Sequence, residues 1–342
     1  MKEFIAEVWR FLLGSPHHPI YRHELAGWSH LRLWRGLRRG CLPGMIALLV
    51  GTAGCCGLIT LASLSESDSE WSFAALAALF GMLIGGEIVR WLVGLLATAV
   101  TATSISAEVE ADTYALLRIT PLSAREIVLA KFGAAVHQFR LPVLAIALIR
   151  ALFVLGTVAF FAALMAGSAL EEPLRLLLPS VAASVPLQTS YILAGVTALL
   201  AALFLLIYFL ANPALLTLLY AAVGMLASSW ARTRSGGLMA AIGLRVALWT
   251  AAYILSQAFT FSFSLLSIPL STLPTAPVWL ERLAALEPSL MVMLVAFGIV
   301  LWLVLVVATQ MGLTLLFLYL AVRRAERLPY EGKVGLLAST SN

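Results

Sequence analysis

The sequence predicts an all-α membrane bundle of about six transmembrane helices, preceded by an amphipathic helix lying in the membrane interface. Three observations predict it. Of 342 residues, 61% are hydrophobic and only 11% are charged, against about 25% charged in an ordinary soluble domain. The mean hydropathy is +0.98, more apolar surface than a globule of this length can hide from water. Finally, the apolar residues fall into long runs, and a span needs about 20 of them. The chain has room for six to eight spans and none for a large soluble domain. A soluble enzyme, a disordered chain and a disulfide scaffold are all excluded.

Residues 1–40 form an amino-terminal segment with seven Lys/Arg and no small-residue cleavage site after a compact apolar core, unlike a signal peptide. Within it, 19–39 reads as an amphipathic helix. Ile20, Leu25, Trp28, Leu31, Trp34 and Leu37 recur at helical spacing, while Arg22, Arg32, Arg35, Arg38 and Arg39 take the other turns. Trp and Arg together suit the headgroup layer of a membrane; packing on a partner helix is the plainer alternative.

Residues 41–322 make the transmembrane domain. The first span covers 42–64 and ends in an acidic loop with Glu66, Asp68 and Glu70. The second covers 72–105, and a polar stretch, 104–140, follows it. The third covers 141–167. The stretch 187–230 is too long for one simple span, and charge decides how often it crosses. If it crosses once, 17 of the 22 Lys/Arg lie on the side of the amino terminus, as the positive-inside rule asks. That crossing is then long or broken, with Asn212-Pro213 the natural break because proline removes a backbone donor. The fifth span covers 238–259, an outer loop with a short helix covers 262–289, and the sixth span covers 290–322. A short basic tail, 323–342, completes the chain. Both termini are expected in the cytoplasm of a bacterial-type inner membrane.

Four charges fall within spans, where they are costly and often functional. Glu87 and Arg90 are three residues apart on one helix face, so they are expected to neutralise each other, with a substrate or proton site as the alternative. Arg150 needs a partner, either Glu87 or a polar cavity. Arg245 lies nearer its helix end and is expected to snorkel.

Motifs for bond chemistry are missing. There is no P-loop, no H-E-x-x-H and no usable G-x-S-x-G. Four of the five histidines, His17, His18, His23 and His30, crowd the amino terminus, with His137 apart, so no metal or haem site is expected. Cys41, Cys55 and Cys56 have no ligand spacing and read as small buried residues. Glu171-Glu172 followed by Arg175 is similar to the paired glutamates of intramembrane CAAX-type proteases. The arginine is one residue too close, however, and the spans lack the histidines that chemistry needs.

The informative segment is 104–131, S-I-S-A-E-V-E-A-D-T-Y-A-L-L-R-I-T-P-L-S-A-R-E-I-V-L-A-K. Its apolar residues do not continue a span. Thr120-Pro121 breaks one helix, and Pro121 or Leu122 starts another, capped by Thr120 or Ser123 with Glu126 near its positive end. Two short helices at an angle would make a firm knob suited to docking in a partner's groove.

These residues resemble the type-2 ABC transporter permeases. That family carries an acidic cluster, Thr, Leu-Leu, T-P-L-S, then Glu and Lys just after its second span. This chain has Glu108, Glu110, Thr113, Leu116, Leu117, Thr120, Pro121, Leu122, Ser123, Glu126 and Lys131 at the matching places. The family also opens with N-P-[IV]-x-x-[RK]-E-[LF], matched by His18-Pro19-Ile20-Tyr21-Arg22-His23-Glu24-Leu25. Asp112 and Ala130 stand where glycines are usual, and His18 stands where asparagine is usual. The motifs cover about 40 residues.

The resemblance implies a permease subunit of an ATP-driven exporter, with no catalysis of its own. Segment 108–131 would be the coupling element on a separate ATP-binding cassette subunit, which would hold the ATP and magnesium. The helix bearing Pro19, Arg22, Glu24, Trp28 and Trp34 would be an interfacial belt. A second permease copy or a related chain, and membrane lipid, would be the other partners; nucleic acid would not. The alternative is a non-transporting accessory subunit built on the same fold.

Overall fold

A computed structural model describes residues 2–14, 18–29, 69–111, 113–114, 117, 121–166, 188–267 and 288–327. The expected first span at 42–64, Trp34, Leu116, Thr120, the Glu171-Glu172 pair and the loop 268–287 lie outside the described residues. Among the described residues the chain is helical, without a strand. The helices are α1 (Lys2–Leu13), α2 (Pro19–Ser29), α3 (Ser69–Ala102), α4 (Ser106–Glu110), α5 (Ala124–Gln138), α6 (Arg140–Ala166), α7 (Gln188–Trp230), α8 (Arg234–Ser267) and α9 (Pro288–Ala325). Five of them, α3, α6, α7, α8 and α9, are long and apolar enough to cross a membrane. The protein is a multi-pass membrane protein.

The chain divides into two compact units. One comprises Met1–Pro173, Phe209–Ile242 and Thr309–Asn342; the other comprises Leu174–Tyr208 and Gly243–Ala308. The first holds α1 to α6. There α3 packs on α6, and α1 and α2 pack on α5. A core of Val93, Ala97, Phe139 and Ile146, flanked by Val89, Leu96, Val100 and Val143, joins α3 to α6. Helix α5 is buried almost all round, from Ile127 through Ala135, as expected of a helix enclosed by protein. It ends at Phe139, and α6 starts at Arg140 with Pro142 in its first turn, where a missing N–H costs nothing. Small residues bring α3, α7 and α8 close: Ala102, Ala227 and Ala241 form one buried cluster. A methyl added at Gly224 of α7 would meet the Thr98 carbonyl oxygen at 2.5 Å, so only glycine permits this approach.

In the second unit Ala201, Ala296 and Leu303 are buried. Large apolar side chains face outward, Leu199 and Leu255 each 71% exposed, which suits lipid tails rather than water. Trp249 and Tyr253 stack with centroids 6.0 Å apart. Arg245 is buried.

One expectation is decided and two need correction. Of the two forms expected for 187–230, long or broken, the long one is found: α7 runs unbroken from Gln188 to Trp230 with Pro213 inside it, and Asn212-Pro213 makes no break. Proline leaves the carbonyl four residues before it, that of Phe209, without its helical N–H partner. The Arg150 guanidinium supplies one instead, donating to the Phe209 oxygen at 2.6 Å, so the helix continues. Next, α5 starts at Ala124, later than Pro121 or Leu122. Ser123 is extended and accepts from the Glu126 N–H, and the Glu126 carboxylate accepts from the Ser123 N–H at 2.9 Å, a complete capping box. Lastly, helix α8 reaches Ser267, eight residues past its expected end at 259. Helix α1 is additional, its Phe4, Val8 and Phe11 face buried.

Candidate functional site

The polar segment between α3 and α5 is built into the first unit from several sides. Helix α4 starts without a cap of its own; Ser228 of α7 supplies one, its hydroxyl accepting from the Ile105 and Ser106 N–H groups at 2.9 Å each. In turn α4 caps α8: the Glu110 carboxylate accepts from the first N–H of that helix, Arg234, at 2.8 Å, a favoured place for an anion. Thr233 accepts from Gly236 at 3.2 Å at the same end. Beyond α4, the Tyr114 hydroxyl donates to the Ala325 carbonyl at 3.2 Å, the last residue of α9. One segment thus closes the ends of α8 and α9 and is itself capped by Ser228 near the end of α7.

An ion cluster ties the segment to α2 and α5. Lys131, with a side chain only 2% exposed, pairs with Glu24 of α2 and with Glu108 of α4, the latter at 2.6 Å. Burial works against the ammonium charge, but Glu24 and then Glu108 outweigh it and hold the Lys131 pKa above the ordinary lysine value. Next to the cluster, the Tyr21 hydroxyl bonds His137 Nδ1 at 2.9 Å. Burial, with Arg140 adding to it, lowers the His137 pKa.

The placement of the expected coupling residues follows from these bonds. Lys131 faces inward and is not a surface charge, because two carboxylates claim it. Glu108 is half-buried beside it. Glu110, Glu126 and Ser123 act as helix caps at the surface. Thr113 and Pro121 are exposed, and Leu117 and Leu122 are half-buried. On α2, Ile20 and Tyr21 are buried, Glu24 reaches Lys131, and Arg22 is exposed. Pro19 opens the helix, and Trp28 lies near its end.

Helix α1 also braces this region. Arg125 pairs with Glu7 at 2.5 Å and lies over the Phe4 ring at 5.1 Å. A methyl at Gly133 would strike the Phe11 carbonyl oxygen at 2.7 Å, so α1 rests directly on α5. The i, i+4, i+7 spacing of Phe4, Val8 and Phe11 is the signal for this helix, and the neighbouring charges obscured it.

Deeper in the same unit, Glu87 joins two arginines. It accepts from Arg90, one turn along α3, at 2.5 Å, and pairs with Arg150 of α6. The Arg150 guanidinium also lies 4.5 Å from the Phe209 ring centroid. Both expected partnerships of Glu87 therefore form, and a proline-freed carbonyl joins them. Among the described residues no three His, Cys, Asp or Glu side chains gather as a metal site. What the arrangement offers is mechanical: Ile105, Ser106, Glu110 and Tyr114 bond at or near the ends of three long helices. Comparison with protein-family models and with curated proteins finds no match for the chain.

Proposed function

We propose that this chain is the transmembrane permease subunit of an ATP-driven ABC-type exporter, working with a separate ATPase subunit that binds ATP and magnesium. One observation carries the reading: the segment bearing the permease-like motif is bonded to the ends of α7, α8 and α9 through Ser228, Glu110 and Tyr114. A loop so fastened passes a push from outside to the spanning helices as rigid bodies, the behaviour a coupling element needs. On this reading both termini and segment 106–123 lie on the cytoplasmic side, where the positive-inside rule favours their Lys/Arg. The pathway is completed by a second copy or a related permease chain.

The exposed positions of the segment are the ones to test. Thr113→Arg and Pro121→Arg change its surface and remove only one internal bond, that from the Thr113 hydroxyl to the Glu108 carbonyl at 3.3 Å. Both variants should assemble in the membrane with unchanged melting temperature and lose ATPase capture from native membranes. Undiminished capture by both would contradict the coupling role and favour an accessory subunit on the same fold.

A further inference from the structure

The cluster around Glu87 is out of charge balance. Arg90 and Arg150 bring two guanidinium charges against the single carboxylate of Glu87, which leaves +1. Among the described residues no further acidic side chain pairs with either arginine. The cluster also lies inside a candidate span: Arg150 is ten residues into α6, about 15 Å along its axis, in a helix long and apolar enough to cross a membrane. An unbalanced charge inside a span is costly. Hydrogen-bonding capacity is unmet there as well. Arg150 Nε is buried without an acceptor, although the side chain is only 4% exposed. Its other nitrogens are held by Glu87 and the Phe209 carbonyl, so the guanidinium is fixed in place. Among the described residues Arg90 pairs with Glu87, and its side chain is 27% exposed, so the cluster opens on that side. On α3 Ile84 and Trp91, one turn to either side of Glu87, are apolar and exposed.

We infer that Arg90 and Arg150 form a binding site for one anionic oxyacid group, a carboxylate or phosphate ester, carried on an apolar body. The anion would restore neutrality and share the arginine donors with Glu87, as planar guanidinium groups favour. Ile84 and Trp91 would take the tail. The inference rests on the cluster itself and stands whether or not the chain couples to an ATPase.

The test uses the purified full-length chain in phosphatidylcholine bilayers with or without phosphatidylglycerol, and native mass spectrometry to read the lipid it retains. The wild type should retain phosphatidylglycerol in preference to phosphatidylcholine. Arg90→Gln, which brings the cluster to neutrality, should weaken that retention at least about tenfold. Glu87→Gln, which raises the cluster to +2, should hold the anionic lipid as tightly or more tightly, so the inference remains testable if one variant folds poorly. Adding inorganic phosphate distinguishes the source: competition in the wild type but not in Arg90→Gln means a free anion fills the site, and no competition means a lipid-borne one. Equal retention by the wild type and Arg90→Gln, weaker retention by Glu87→Gln, or retention of phosphatidylcholine as readily as phosphatidylglycerol would overturn it.

Discussion

Lys131 shows how a surface-looking charge becomes structural. Its side chain is enclosed by protein, and Glu24 and Glu108 keep it ionised. Lys131→Gln would leave two carboxylates facing each other without a cation, at a cost of about 3 kcal/mol, read as a lower melting temperature in detergent. The pH dependence has a definite sign. The folded pKa is raised, so this stabilisation is complete below the ordinary lysine value of about 10.4 and is lost as pH rises through the folded value. The melting temperature of the wild type should therefore fall more steeply above that pH than that of Lys131→Gln. Glu126 titrates in the opposite sense. The Ser123 backbone N–H and hydroxyl lower its pKa, so its contribution is present above the ordinary carboxylate range and disappears as pH falls. Glu126→Gln should flatten the acid limb of the stability profile. Some of these pairings were legible in the sequence. The spacing of Glu87 and Arg90 requires one helix face, and Arg150 needed a partner, Glu87 or a polar cavity. The Glu24–Lys131 pair spans 107 positions, and no local pattern encodes such a contact.

At the scale of elements, the long apolar helices were legible because each carries a run that only a membrane or a core can hold. Their ends were less so, because caps come from elsewhere in the chain: Ser228 caps α4, and Glu110 caps α8. Pro213 left the form of α7 open for a related reason. A proline breaks a helix when its orphaned carbonyl finds no donor, and here Arg150 provides one. Arg150→Gln should therefore cost about 1–3 kcal/mol, since it leaves the Phe209 carbonyl without a donor while Glu87 keeps Arg90. Close approach supplies a second prediction. Gly224→Ala pushes a methyl into α3, and overpacking of this kind costs about 1–3 kcal/mol. Gly243→Ala, with nothing within 4 Å, should be neutral or stabilising by up to about 1 kcal/mol. Thermal melts of the two variants side by side check the contrast. The segment 104–131 was legible as a helix break with a cap near Pro121, and its attachment to three helix ends appears only in the fold.

For the whole molecule, composition already implied a membrane protein, and five candidate spans among the described residues agree with it. The proposed function adds a direction to that bundle. A fluorescent protein that matures only in the cytoplasm, fused to either terminus, should fluoresce in both cases, as an even number of crossings requires. One dark terminus would mean an odd number. The proposal also requires a partner, because this chain has no P-loop of its own. The most direct measurement is to purify the complex gently from native membranes through a tag on this chain, then count subunits by quantitative mass spectrometry. The account expects a P-loop ATPase at a fixed stoichiometry, near one per permease chain, with ATP turnover in the purified complex. A preparation with no P-loop subunit at any stoichiometry, holding other membrane proteins instead, would contradict it.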